Sequence, residues 1–190
     1  MRKIFKYLLF FILLVVMALS VMVWFSPYGY KESFSGRVVE EKILIDASVE
    51  DCYNYLGNSE NAVDWSVYVD HITPLNSNTH KDGEIGSIRR CFKNKDESGI
   101  YWDEEILINE KNKRRRLNIY NMQNFSISGN NLLTEQLYVE KNGMCEITVN
   151  LFFDKGKSSW LDELKLYFAG YTVSEIFKGN LERIKMLNEN

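Results

Sequence analysis

An almost unbroken run of apolar residues occupies positions 4–25, and only Lys6 and Ser20 interrupt it. As a helix this run would be roughly 33 Å long, which is enough to cross the hydrocarbon core of a bilayer. A helix is favoured there because it satisfies its own backbone hydrogen bonds. We therefore predict a transmembrane anchor at 4–25. A cleaved signal peptide is the alternative, with a small-residue site at 18–20, but the apolar run continues past that site to Phe25.

Charged residues are unevenly distributed around this run. Arg2, Lys3 and Lys6 lie at its amino end, whereas Pro27 follows its carboxyl end. Basic residues tend to stay on the cytoplasmic side of a membrane. We therefore predict a single-pass membrane protein with a cytoplasmic amino terminus and an extracytoplasmic domain. Residues 26–36 carry glycine, serine and charge without a period, and they are predicted to be a linker.

The periodicity changes along the rest of the chain. A β-rich run at 38–46 predicts a first strand, and the pattern that begins at Ser48 predicts a short helix, with a second helical turn up to Trp65. Polar and apolar residues then alternate over several runs separated by turn-forming residues, which predicts an antiparallel meander. These runs are 67–73, 85–93, 100–109, 117–122, 132–140 and 145–153.

The last part of the chain is predicted to be one long helix over 158–187. Its apolar residues recur at helical spacing, which predicts one buried face. The residues predicted to be buried there are Leu161, Leu164, Phe168, Ile184 and Leu187. An antiparallel sheet with one solvated face must cover the other face, and this helix is the only predicted element long enough to do so. Space left between a curved sheet and one helix would form an apolar cavity.

The predicted fold class is α+β. We expect a curved antiparallel sheet of about seven strands wrapped round the long carboxy-terminal helix, together with two short helices and the amino-terminal transmembrane helix. Residues 37–190 have the length of one domain. The predicted organisation is therefore an anchor at 4–25, a linker at 26–36 and one domain at 37–190.

Composition and motifs narrow the function classes. The net charge of −3 at pH 7 argues against a nucleic-acid partner. The basic run at 111–116 is predicted to be a solvated hairpin tip, and a contact with acidic lipid headgroups is the alternative. Three cysteines cannot form a complete disulfide framework, and His71 and His80 lack metal-ligand spacing. Because no nucleotide-binding or nucleophile-elbow motif is present either, we predict no metal and no cofactor.

Several short segments, in this order, resemble the START-like helix-grip superfamily (SRPBCC), which includes polyketide cyclase/dehydrase and lipid-transport proteins. The resemblance covers roughly residues 38–188. The segments that carry it are IDASVEDCY at 45–53, Trp65, GSIRRCF at 86–92, WDEEI at 102–106 and GNLERIK at 179–185. The resemblance implies the helix-grip fold and a cavity for an apolar or amphipathic small molecule. It does not imply one reaction, because such folds serve binders and enzymes alike.

Arg89 and Glu104 are the main candidates for polar chemistry. They lie on neighbouring predicted strands, and Glu104 shares its strand face with Trp102 and Ile106. If that face is concave, the carboxylate is buried and needs a partner, for which Arg89 is suitably placed. Three roles remain open for the pair: a structural ion pair, an anchor for a ligand headgroup, and a general acid or base at Glu104.

Six residues are predicted to bind a ligand in the cavity. They are Trp65, Arg89, Trp102, Glu104, Tyr120 and Phe168. The preferred function is a membrane-tethered binding or transport module for a lipid or another hydrophobic small molecule, and no catalytic residue is assigned. The alternatives are a cyclase- or dehydratase-type enzyme that uses Glu104, and a structural or partner-binding ectodomain with a filled core.

Overall fold

The computed structural model describes residues 2–125, 129, 131–154 and 156–189, with only the backbone of Arg2 and Lys3. Four helices and eight strands follow one another along these residues. The helices are α1 (Arg2–Trp24), α2 (Val49–Gly57), α3 (Ala62–Trp65) and α4 (Trp160–Asn188). The strands are β1 (Gly29–Lys31), β2 (Gly36–Ile45), β3 (His71–Pro74), β4 (Ile88–Phe92), β5 (Tyr101–Glu110), β6 (Arg114–Gln123), β7 (Leu132–Lys141) and β8 (Met144–Phe153).

All eight strands belong to one antiparallel sheet in the order β1-β2-β8-β7-β6-β5-β4-β3. The predicted α+β class, the antiparallel sheet and the long carboxy-terminal helix are confirmed. The sheet has eight strands, where about seven were expected, because β1 adds a short strand before β2. The strand predicted from residue 67 begins only at His71. The Ser66 hydroxyl accepts hydrogen bonds from the backbone N–H groups of Tyr68 and Val69 and so holds that stretch in a turn.

The segment predicted as a linker, 26–36, is ordered against the sheet. Strand β1 lies within it and pairs with the first residues of β2. Tyr28 is only 2% exposed, and its ring packs edge-on against Phe153 and Tyr167. The chain therefore enters the core before β2 begins.

Helix α4 starts with a capping box in which Ser159 and Asp162 satisfy each other's backbone N–H groups. Its buried residues are Leu166, Gly170, Ser174, Leu181 and Ile184. The prediction of burial holds for Ile184. It is wrong for Leu161, Leu164 and Leu187, which are 49%, 39% and 46% exposed, and Phe168 is half-buried.

The error at α4 has a geometric cause. The first half of the helix carries two apolar stripes, which lie roughly 140° apart around the helix axis. The buried stripe runs through Leu166 and Gly170. The second stripe, here called the outer stripe, consists of Leu161, Leu164, Phe168 and Tyr171.

The basic run at 111–116 is only partly a solvated hairpin tip. Arg114 and Arg116 both lie close to the Glu135 carboxylate on one face of the sheet. Arg115 points to the other face and is 2% exposed, which corrects the expectation for this residue. Its guanidinium lies 4.7 Å from the centre of the Tyr53 ring and donates to Gln136. Strand alternation therefore buries the middle one of the three consecutive arginines.

Helix α1 is apolar and exposed along its length. Over Ile4–Trp24 it is long and apolar enough to cross a membrane, and a signal sequence can have the same length and composition. Its carboxyl end is held against α4. The Tyr171 hydroxyl donates to the Met22 carbonyl at 2.7 Å, and the Ser26 hydroxyl donates to the Tyr167 carbonyl at 2.5 Å. The end of α1 is therefore fixed to the first half of α4.

Candidate functional site

A cavity lies between the concave face of the sheet and helix α4, and it has two compartments. The inner compartment has a volume of about 210 Å³ and the outer compartment about 290 Å³. They share a wall of mainly apolar residues, so they lie side by side. The shared residues are Tyr68, Met122, Phe125, Leu132, Leu151, Val173 and Ile176. The combined space falls within the size range of small-molecule sites.

Arg89 and Glu104 form the polar part of the inner compartment. They face each other across β4 and β5. The Arg89 Nε donates to Glu104 Oε2 at 3.0 Å, and its Nη2 lies 3.0 Å from the same oxygen. Trp102 Nε1 donates to the other carboxylate oxygen at 2.9 Å. The predicted ion pair on the helix-covered side of the sheet is confirmed, and Trp102 shares in it.

Electrostatics favour the charged form of Arg89. Burial by itself lowers the pKa of Arg89, but the charge of Glu104, the weaker effects of Cys91 and Asp82 and the hydrogen bond to Glu104 together outweigh burial and raise the pKa. Cys91, on the same wall, has a pKa well above its usual range because it is buried and lies near the Glu104 carboxylate. The Cys91 thiol therefore stays protonated and is a poor nucleophile.

A second ion pair lies directly behind the first, on the opposite face of the sheet. The Arg90 Nε and Nη2 donate to the two oxygens of Asp103 at 2.6 and 3.0 Å, and Asn121 donates to Asp103 at 2.7 Å. Burial raises the pKa of Asp103, but these hydrogen bonds and the Arg90 charge outweigh it and lower the pKa. The two back-to-back pairs fix the register of β4 on β5 and hold the inner pair in place.

Trp65, another of the predicted ligand-binding residues, also lines the inner compartment. Its indole N–H is buried and has no hydrogen-bond partner among the described residues. A buried donor without a partner is costly, so the position suits a ligand that brings an oxygen acceptor.

Tyr120 and Phe168 line neither compartment. Both were predicted as ligand-binding residues, and the structure corrects their placement. Tyr120 lies opposite Asp103, on the convex side of the sheet. Phe168 belongs to the outer stripe of α4, away from the stripe that faces the sheet.

Sequence reasoning missed much of the cavity wall. Met122 enters the cavity because the pairing of β5 with β6 shifts register between Tyr101 and Asp103. Asn121 has a positive φ of 49° at this point, and the irregularity reverses the alternation of side chains beyond it. The α4 residues Val173, Ile176 and Phe177 could have been found from their helical spacing, had the correct stripe been chosen.

The outer compartment opens to the surface beside the first half of α4. Leu166 and Ala169 line it from that helix, whereas Lys165 and Thr172 are exposed at its rim. Phe125 and Gly129 line it from the other side, next to residues outside the described ranges. The mouth of the cavity therefore lies on the same half-helix that holds the end of α1.

Across the described residues, no cluster of three or more His, Cys, Asp or Glu side chains could hold a metal ion. The two histidines lie outside the cavity wall. His71 contacts Asp70 and stacks on Phe92, and His80 contacts Thr79. The cavity therefore offers a ligand apolar contacts, one ion pair and a few hydrogen-bond donors.

Solved structures with this arrangement were found by comparison of the whole fold. XoxI from Bacillus cereus is 17% identical with a TM-score of 0.59, and the match covers 80% of this chain and 94% of XoxI. Ara h 8.0201 is 13% identical with a TM-score of 0.58, with 79% and 95% covered. The di-domain ARO/CYC StfQ from the steffimycin biosynthetic pathway is 12% identical with a TM-score of 0.56, with 80% and 50% covered.

The chain has the helix-grip fold. At these identities the likeness concerns the fold alone, which agrees with the resemblance carried by the sequence segments. No protein-family model matches the chain, and no curated protein sequence matches it. The function has to be argued from the cavity itself.

Proposed function

We propose that the protein is a membrane-tethered module that binds a lipid or another amphipathic small molecule in the cavity between the sheet and α4. The observation that carries the proposal is the cavity, whose wall is mainly apolar and holds one charged pair, Arg89 and Glu104, besides a few neutral polar side chains. An apolar wall with a few convergent polar groups is typical of sites for small molecules. The cavity also argues against the alternative of a filled core.

The polar cluster is suited to hold the head of such a ligand. The Arg89–Glu104 pair is buried and held in place by hydrogen bonds, so it provides a fixed dipole in the wall. The Trp65 indole N–H lines the same compartment. A ligand with a hydroxyl or carbonyl oxygen at one end would meet these groups, and its hydrocarbon part would fill the rest of the cavity.

The geometry favours binding over acid–base catalysis. Glu104 already accepts hydrogen bonds from Arg89 and Trp102, so both of its oxygens take part in holding the cavity wall together. The other titratable groups on the inner wall are Tyr68 and Cys91, and burial raises the pKa of both. A proton-transfer mechanism needs a second group poised near neutral pH beside the first.

The ligand proposal is tested by filling the cavity. Val173 on α4 lines both compartments, so V173W should occupy the space that the ligand needs. We expect the amount of co-purifying lipid or other hydrophobic small molecule, measured by mass spectrometry of the extracted full chain, to fall by roughly tenfold, equivalent to about 1.4 kcal/mol of binding free energy. M186W is the control, because Met186 is exposed on the same helix and lines neither compartment. If the wild type carries no such molecule, or both variants carry as much as the wild type, the proposal is wrong.

The tether is the second part of the proposal: α1 crosses the membrane once and leaves the domain outside the cytoplasm. The support is the length of the apolar run and the basic residues at its amino end. We expect a carboxy-terminal reporter that is active only in the cytoplasm to stay silent. Deletion of residues 2–25 should switch the same reporter on. An active reporter on the full chain would show that the orientation is reversed.

A further inference from the structure

Exposed apolar side chains are concentrated at the beginning of α4. Trp160 is 74% exposed, and it lies next to Leu161 and one turn from Leu164, which are also exposed. Together with Phe168 and Tyr171 they form an apolar surface along the first half of the helix. A contiguous apolar surface of this kind usually marks a contact with a protein or a membrane.

The end of α1 lies at one end of this surface. Tyr171, the last residue of the outer stripe, donates its hydroxyl hydrogen bond to Met22 of α1. Gly170 permits the segment that follows α1 to approach α4 closely, because a side chain at Gly170 would meet the backbone nitrogen of Tyr28 at 3.3 Å. The outer stripe therefore continues directly from the helix that is proposed to cross the bilayer.

The depth of the contact can be inferred from the aromatic residues at the end of α1. Trp24 and Phe25 are exposed, and such residues lie at the membrane–water interface of a spanning helix. Met22 is less than one turn away, so Tyr171 must lie near the same depth. From Tyr171 the stripe reaches Trp160 over roughly 16 Å of helix.

We infer that the outer stripe of α4 lies on the bilayer leaflet from which α1 emerges, with Trp160, Leu161 and Leu164 at the boundary between headgroups and acyl chains. The inference rests on the proposed function only in that α1 must stay in the membrane. An amphipathic helix binds in this way through its buried apolar area. The proposed tether keeps the stripe next to the bilayer at all times, so a lipid surface is the partner that the stripe meets. Among the described residues, no contact favours a second copy of the chain as the partner instead.

This placement has a consequence for the cavity. Lys165 and Ala169 line the outer compartment. Each directly follows a residue of the outer stripe in the sequence, so the compartment and the stripe are neighbours on the helix surface. The mouth of the cavity would therefore open beside the lipid surface. A ligand with a hydrocarbon chain could pass between the bilayer and the cavity with little exposure to water, which identifies the ligand source as the membrane itself.

The contact is tested with environment-sensitive probes on the full chain in phosphatidylcholine–phosphatidylglycerol vesicles. L161C and L164C each carry a bimane probe, and the three native cysteines are buried, so the unmodified chain gives the labelling background. L187C is the matched control, because Leu187 is exposed on the same helix but lies roughly 35 Å or more along the axis from positions 161 and 164. Brominated lipids report contact with the bilayer, and iodide reports contact with water.

We expect brominated lipids to reduce the fluorescence at positions 161 and 164 by roughly twofold or more, since a probe at the acyl boundary contacts the quencher, and to leave position 187 unchanged. Full accessibility to iodide at 161 and 164 without lipid quenching overturns the inference. Protection from both quenchers also overturns it, because a protein then covers the stripe. If the chain does not float with the vesicles, both the inference and the proposed tether are wrong. If no small molecule co-purifies with the chain, only the binding proposal is wrong.

Discussion

Glutamine in place of Glu104 is expected to lower the free energy of unfolding by about 3–5 kcal/mol, the range for breaking a buried ion pair. The substitution keeps the size of the side chain but leaves Arg89 charged and buried without a counter-charge. It also replaces one acceptor oxygen by an amide donor, so the contacts from Arg89 and Trp102 cannot both be kept. Denaturant unfolding of the wild type and the variant measures the difference.

The matched control for this prediction is E50Q. Glu50 pairs with Lys111 at 3.0 Å, but both side chains are more than half exposed. Loss of such a surface pair should cost at most about 1 kcal/mol. A double variant with R89M and E104L should recover most of the stability, because removal of both charges avoids the unpaired arginine. If E104Q and E50Q destabilise the protein equally, the inner pair is not shielded from solvent.

Truncation of Leu181 to alanine is expected to cost about 2–5 kcal/mol, the usual range for a buried leucine. Leu181 is 2% exposed and packs in the same cluster as Ile45, Ile147 and Ile184. The truncation leaves a hole between α4 and the sheet that the rigid ladder of β2 and β8 cannot close. Thermal and denaturant unfolding of the full chain in detergent measure the change.

The control for this second prediction lies on the same helix. L161A makes the same chemical change at an exposed position and should alter the stability by less than about 0.5 kcal/mol. The pair of variants tests which stripe of α4 faces the sheet. If L161A costs as much as L181A, the helix is rotated about its axis and the outer stripe is part of the core.

Much of the fold could be predicted from the sequence because strand alternation and turn residues are local signals. The inner ion pair was found in this way: the parity of Glu104 with Trp102 and Ile106 placed it on the concave side. The phase of α4 could not be predicted, because Leu161 and Leu166 belong to two stripes of similar hydrophobicity. Which stripe meets the sheet depends on packing partners far away in the chain.

The cavity wall was harder to predict than the sheet. Ordinary alternation puts Tyr120 and Met122 on the same face, but the irregularity at Asn121 separates them and sends only Met122 inward. Tyr68 and Phe125 reach the cavity from segments outside the strands, where no period exists to indicate their direction. Local patterns therefore predict which elements form, whereas the lining of a cavity depends on irregularities and long-range packing.

The proposed tether gives the ends of the sheet a further importance. Copies held on one surface by such a tether would meet often, and a long unpaired strand would invite one copy to extend the sheet of another. At one end of the sheet β1 has only three residues and pairs with the first residues of β2. Helix α4 lies along the later part of β2, where Lys185 donates to the Leu44 carbonyl. At the other end β3 has four residues and closes with Pro74, which has no N–H to donate. Both borders therefore offer few free hydrogen-bonding groups, which limits filament growth between crowded neighbours.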